Sequence, residues 1–240
     1  MEPLISSNIP NANVVYYMAC KNELMDAIEL IAKRYTESKI INQPIENSIK
    51  KIEADFKNRK NYLTIIGYDH NNGNKPVSTL TIFLSNYPSR EYDYGKPFNT
   101  FYTHIKNKYN GNSLNFAEVG RFAVDKDKKN QYKFSIDIIC AVPKLASLLD
   151  IEIIFMSSNL KHARRYSKFT FFKQVNGTTT YPKELNYKDC IISYAFVNEI
   201  LKEFDNDDLL LPMRRRFNDH LQFQVLVNKE ELKTKFFKYL

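Results

Sequence analysis

Apolar residues recur along the chain with two different periods, and the points where one gives way to the other divide it into elements. Leu24, Ile28, Ile31 and Tyr35 are spaced four, three and four residues apart, which puts them on one face of a helix. Pro44 suits the opening of a second helix, with Ile45, Ile49, Ile52 and Phe56 as its apolar stripe. Ahead of both, Val14 to Met18 reads as a first strand. Tyr62 to Tyr68 and Val77 to Leu84 are rich in Thr, Ile, Leu and Tyr, and Asp69-His70-Asn71-Asn72-Gly73-Asn74 between them is a turn signal. The two runs are predicted to form a β-hairpin. Ser85 to Gly111, with Pro88, Gly95 and Pro97, reads as a long irregular insertion, and long loops in compact domains usually serve function.

The second half begins with a strand, Phe116 to Val124, and a lysine-rich turn from Asp125 to Gln131. An apolar helix is expected from about Tyr132 to Leu149, with Pro143 kinking or shortening it. Ile151 to Met156 is a short continuous apolar run, the pattern of a central buried strand. A helix from about Leu160 to Lys168 follows, then strands Phe171 to Val175 and Cys190 to Val197. From Asn198 onward one or two helices are expected, broken near Leu209-Leu210-Leu211-Pro212. The strand–helix–strand unit in the middle demands a parallel crossover within a mixed order. The fold class is therefore α/β (α+β): a mixed central sheet of six or seven strands flanked by helices. With no internal repeat and no low-complexity linker, residues 1–240 read as one domain, a core of about 14–197 with a helical extension of about 198–240.

Composition adds less. Of 240 residues 43% are hydrophobic and none is Trp, a globular profile. No apolar run approaches the roughly 20 residues of a membrane-spanning helix, and the first residues lack a signal-peptide pattern. Cys20, Cys140 and Cys190 lie far apart in apolar contexts, which points to a reducing, cytoplasmic setting and to no metal. The four histidines, His70, His104, His162 and His220, have no metal-ligand spacing either. A net charge of +8 fits an acidic partner of several kinds, or simply a lysine-solvated surface. The Arg214-Arg215-Arg216 run fits a partner contact or a solvated helix end.

Chemistry concentrates on one strand. In Phe116-Ala117-Glu118-Val119-Gly120-Arg121-Phe122-Ala123-Val124, simple alternation sends Phe116, Glu118, Gly120, Phe122 and Val124 to one face. It sends Ala117, Val119, Arg121 and Ala123 to the other. Both faces are apolar, so the strand is central, and a charge there is costly unless it is paired or opens onto a cleft. Glu118 has two readings: a general base that takes a proton from an attacking amine, or a structural ion pair with Arg121 or a basic residue of the insertion.

Glu118-Val119-Gly120-Arg121-Phe122-Ala123-Val124 resembles the E-x-S-R-[FL]-x-V strand of the N-acyl-homoserine lactone synthases and the related N-acyl amino acid synthases, both of the GNAT superfamily. Asn159, Ala163 and Tyr166, followed by Lys168 and Phe171, resemble the N-x-x-x-A-x-x-Y-x-K-x-G-F segment that ends many GNAT domains. The resemblance implies a GNAT fold along roughly residues 14–197, with two parallel strands splayed around a donor slot. It implies Glu118 as base, Tyr166 as the proton donor to the leaving thiolate, and backbone amides of Phe122, Ala123 and Val124 beyond a bulge as the oxyanion hole. Arg121 would brace the site or orient a substrate carboxylate. Asn159 belongs to the same implied set. Tyr166 alternatively packs on the core.

Three positions depart from the pattern. Gly120 stands where relatives often carry Ser, and Thr170 where GNAT domains usually have Gly. The turn Asp125-Lys126-Asp127-Lys128-Lys129-Asn130-Gln131 has none of the glycines of the superfamily's [QR]-x-x-G-x-[GA] loop. Small residues let backbone amides close around the pyrophosphate of coenzyme A. Lys126, Lys128 and Lys129 suit a single phosphate better. That favours acyl-phosphopantetheine on an acyl carrier protein as donor, with acyl-coenzyme A as the alternative. The expected activity is N-acyl transfer, of a long chain, to an amino acid or similar amine. An acetyl-coenzyme A N-acetyltransferase, and a GNAT-like binding module without chemistry, are the other readings. Neither a nucleic-acid partner nor a transmembrane segment is expected.

Overall fold

The computed structural model describes residues 3–9, 12–58, 61–85, 102–105, 107, 115–126, 131–158, 162–164, 172–175, 191–204 and 223–238. Among them nine strands form one sheet: β1 (Pro3–Ile9), β2 (Ala12–Met18), β3 (Tyr62–Asp69), β4 (Lys75–Ser85), β5 (Phe116–Val124), β6 (Ile153–Ser158), β7 (Lys173–Gln174), β8 (Ile191–Phe196) and β9 (Phe223–Val225). The helices described over their length are α1 (Asn22–Glu37), α2 (Ile45–Asn58), α3 (Gln131–Leu148), α4 (Val197–Phe204) and α5 (Lys229–Lys238). The sheet order is β7-β8-β6-β5-β4-β3-β2-β1-β9. Every neighbouring pair is antiparallel except β5 and β6, which the α3 crossover joins in parallel.

The helical periodicity in the first half translates directly into packing. α1 buries Ala27, Ile28, Leu30, Ile31 and Ala32, and the last four, with Ile52 and Phe56 of α2, cover Phe83 and Ala123 on one face of the sheet. The opposite face carries the largest cluster. There Phe134, Ile138, Ala141, Val142 and Leu145 of α3 pack on Val14, Tyr16, Ile65, Leu80, Ile82, Val119 and Val124. Val197 and Ile200 of α4 and Leu232 of α5 join the same cluster. α3 runs from Gln131 to Leu148 with Pro143 inside it, so Pro143 does not shorten the helix.

The sheet is wider than the six or seven strands expected. β1, whose inward residues Leu4 and Ile5 are fully buried, pairs with β2 and extends the edge. β9 then adds to β1, Ile5 opposite Val225, and the Leu226 amide donates to the Leu4 carbonyl at 2.8 Å. The segment from Asn198, expected as one or two helices, thus contains a strand, β9, as well as helical residues of α4 and α5 that join the main core. Within the insertion, residues 102–105 are helical. Ile105 is buried against Phe116, Ile153 and Phe155, and Tyr102 lies on Phe116 with ring centroids 5.2 Å apart. That end of the insertion anchors to the sheet; Tyr87, Tyr92, Tyr94, Phe98 and Phe101 lie outside the described residues, as do Arg214, Arg215 and Arg216.

Candidate active site

Two irregularities of β5 define the site. The first is on its β6 side. The parallel ladder holds only Phe116 opposite Ile153, Ala117 opposite Ile154 and Glu118 opposite Phe155. β5 continues to Val124, while β6 stays with β8 up to Ser158 opposite Ile191. Beyond Glu118 no further rung joins the two parallel strands, so Glu118 stands at the end of their shared ladder.

The second irregularity is on the β4 side. Thr81 pairs with Gly120 and Thr79 with Ala123, so Leu80 alone faces both Arg121 and Phe122. This is a β-bulge, and Arg121 takes the left-handed conformation at φ 52. The bulge corrects the simple alternation read from the sequence, because one extra residue inverts the pleat. Ala123 lies with Phe83 and Ile52 under α1 and α2, the side of Glu118 and Gly120. Val124 turns to the α3 face with Ala117 and Val119, and Phe122 packs at the margin of that same cluster.

Glu118 is only 8% exposed and sits opposite Phe83 across β4. A Cβ on Gly120 would stand 3.6 Å from its Oε1, so the carboxylate lies over the glycine. The wall beside it is aromatic: Phe83, Phe56 and Tyr62 enclose one another with centroids 5.0 to 6.1 Å apart. Burial, with a smaller push from Cys20, raises the Tyr62 phenol above its ordinary pKa, so it stays protonated as a donor. On the same face the Thr64 and Thr81 hydroxyls are 3.0 Å apart, and the Thr79 hydroxyl donates to the Ile65 carbonyl at 2.8 Å. Arg121 reaches α2, where its Nε and Nη2 donate to Asp55 Oδ2 at 3.1 and 2.5 Å.

The turn that leaves β5 is tied to its surroundings by ion pairs. The buried Asp125 carboxylate meets Lys75 of β4 and Lys33 of α1, the latter at 3.6 Å. Burial alone would raise this carboxyl. The Lys75 hydrogen bond, the Lys126 amide and the two lysine charges outweigh that and hold it below the usual carboxylate range. Lys126 pairs with Glu37 of α1 at 3.0 Å. Lys128, Lys129, Asn159 and Tyr166 lie outside the described residues. Of the helix expected around Tyr166, residues 162–164 are helical, with Ala163 fully buried. Asp55 went unnoticed in the sequence, where it is one more polar residue beside an apolar stripe. Gly120 flanks the bulge, but the positive φ falls on Arg121, one residue further on.

Among the described residues no cluster of His, Cys, Asp and Glu could hold a metal ion, and no helix is long and apolar enough to cross a membrane. The mixed sheet, with one parallel pair whose ladder ends after three rungs, is the GNAT fold, and the protein is an acyltransferase of that superfamily. The chain belongs to the family described as N-acyl amino acid synthase FeeM, which it matches over residues 26–189.

Among solved structures, it is similar to FeeM, an N-acyl amino acid synthase from uncultured soil microbes. The TM-score is 0.58 at 19% identity, covering 80% of this chain and 94% of that one. A putative arylalkylamine N-acetyltransferase 7 from the yellow fever mosquito superposes with a TM-score of 0.54 at 11% identity, over 82% and 96% of the two chains. Arabidopsis thaliana NAA60, solved in complex with acetyl-CoA, gives 0.51 at 12% identity, over 77% and 99%. No curated protein sequence matches the chain.

Proposed function

We propose that the protein moves a long acyl chain from the phosphopantetheine thioester of an acyl carrier protein onto the amine of an amino acid or a similar small molecule. The observation that carries this reading is the buried Glu118 carboxylate at the last rung shared by β5 and β6. A general base is useful where the attacking amine and the thioester carbonyl meet, and the end of a parallel ladder is where an extended thioester fits.

In this scheme the ammonium of the acceptor gives a proton to Glu118, directly or through water. The free amine attacks the thioester carbonyl, and the developing oxyanion is met by backbone amides of Phe122 to Val124 beyond the bulge. Collapse of the tetrahedral intermediate breaks the carbon–sulfur bond and forms the amide. Tyr166 gives its proton to the departing thiolate, and the second proton lost by the amine nitrogen as the amide forms returns to the Tyr166 phenolate, directly or through water. Asn159 belongs to the same segment. An amine acceptor agrees with the activities for which FeeM and the arylalkylamine N-acetyltransferase are named.

The turn after β5 favours the carrier-protein donor. It has no glycine between Asp125 and Gln131, so it is ill suited to wrap a pyrophosphate in backbone amides. Lys126, Lys128 and Lys129 offer side-chain charge for one diester phosphate instead. Acyl-coenzyme A is the second reading, favoured by the acetyl-CoA complex of the NAA60 relative.

Mass spectrometry separates these readings. The protein is offered acyl carrier proteins loaded with several chain lengths, the matching coenzyme A thioesters, and a pool of amino acids. N-acyl amino acid formed faster from the carrier protein is the expected result. Faster turnover of the coenzyme A thioesters overturns the donor assignment, and consumption of neither donor with any amine overturns acyl transfer.

A further inference from the structure

Six non-glycine residues among those described have positive φ: Lys21, Lys39, Asn61, Asn74, Arg121 and Asp150. Lys21 and Lys39 flank α1, Asn61 precedes β3, Asn74 lies in the hairpin turn and Asp150 follows α3. Arg121 is the one among them inside a strand. A long L side chain is disfavoured in that conformation, and the glycine of β5, Gly120, stands one residue ahead of the strained position and does not occupy it.

The support visible in the structure comes from α2. Asp55 Oδ2 accepts from both Nε and Nη2 of Arg121, and the two side chains are only 19% and 15% exposed. A charge-assisted contact of that kind fixes a guanidinium in both position and plane. Asp55 is itself fixed. The next residue, Phe56, is buried against Tyr62 and Phe83, and Phe83 faces Glu118 across the β4–β5 ladder.

We infer that Asp55 is a positioning residue for acyl transfer: it clamps Arg121 in the left-handed conformation and so holds the β5 bulge. Resting on the acyl-transfer reading above, the inference deepens it by one step. The bulge sets the direction of the amides that follow Arg121. It also puts Ala123 on the same face as Glu118. If the clamp is lost, the oxyanion donors and the base no longer converge on one carbonyl, although neither has been altered.

The test compares wild type with Asp55→Asn, Asp55→Ala and the double variant Asp55→Ala/Arg121→Gly. It measures kcat and acceptor KM by mass spectrometry of the N-acyl product, with thermal unfolding alongside. The single variants are expected to lose about 10- to 100-fold in kcat, the scale of a misplaced catalytic geometry. Acceptor KM is expected to move by less than about threefold, because no ground-state binding is removed. Glycine adopts the left-handed conformation without support, so the double variant is expected to regain at least about tenfold over Asp55→Ala.

A double variant no faster than Asp55→Ala overturns the inference. So does wild-type kcat in both single variants, or a raised acceptor KM at unchanged kcat, which would assign the pair to acceptor binding. Should Asp55→Ala fail to fold, the near-isosteric Asp55→Asn carries the comparison. Amide hydrogen exchange separates this inference from the reaction itself. In Asp55→Asn the amides of residues 121–123 are expected to exchange faster than the rest of β5, whatever the chemistry, and unchanged exchange there also overturns the clamp. A wild-type protein that makes no N-acyl product overturns only the acyl-transfer reading.

Discussion

Replacing Gly67 by alanine adds one methyl group to the sheet and nothing else, and the structure fixes what that methyl would meet. Gly67 of β3 lies directly opposite Tyr16 of β2, and the Tyr16 ring crosses over it. A Cβ at residue 67 would stand 2.6 Å from Tyr16 Cε1 and 2.8 Å from Cδ1, where ordinary contact begins at 3.4 Å. The ring has little room to retreat. It is fully buried in the main cluster, and its hydroxyl accepts from Ser78.

Overpacking a close-packed core costs about 1–3 kcal/mol, and a shift forced on a buried ring belongs near the upper end. For a chain of this size each kcal/mol lowers Tm by about 2–4 °C. Urea unfolding is the assay, with Tyr16→Leu and the double variant completing a cycle. Tyr16→Leu is destabilising alone, but it removes the obstacle, so the pair is expected to cost less than the two single changes added together. A wild-type midpoint for Gly67→Ala would mean that the Tyr16 ring yields to the methyl group at no cost.

Gly120 is the contrasting case. A Cβ there meets Glu118 Oε1 at 3.6 Å and Phe83 Cε2 at 3.7 Å, both ordinary contacts, so Gly120→Ser is expected to change stability by less than about 1 kcal/mol in the same unfolding assay. The Asp125 carboxyl is held below its ordinary range in the folded state. Its stabilising contribution is therefore present above the unfolded pKa and lost as pH falls through the folded one. Stability curves from pH 7 to pH 2 are expected to fall less steeply below about pH 4 for Asp125→Asn than for wild type, with Asp125→Asn the less stable protein at pH 7.

The helices and strands that sequence made legible are those whose periodicity belongs to one element alone. α1 and α2 carry clean helical stripes, and the β3–β4 hairpin has its turn residues in full; α3 and β6 are long or uniformly apolar. β1 escaped because only Leu4 and Ile5 of Pro3–Ile9 are strongly apolar inward residues, and Ser6 and Ser7 read as polar. Ser7 is nonetheless buried, its hydroxyl donating to the buried Asp137 of α3, a satisfaction that only the tertiary structure supplies. β9 is three residues long and owes its pairing to β1.

At the site, Glu118 stood out because a carboxylate in an apolar strand needs a reason. The bulge did not. Arg121 carries no residue-type signal for a positive φ, and Asp55 becomes meaningful only when α2 and β5 are brought together from 66 positions apart. The inverted face of Ala123 and Val124 followed from that one hidden residue.

The central claim is that Glu118 takes the proton from the attacking amine. Glu118→Gln keeps the shape and removes the base, and kcat/KM for N-acyl product, followed from neutral pH upward, reads the consequence. At neutral pH a loss of about 10²- to 10⁴-fold is expected, shrinking as the pH approaches the acceptor amine's own pKa and the amine arrives already deprotonated. A Glu118→Gln protein that matches wild type at neutral pH would contradict the account.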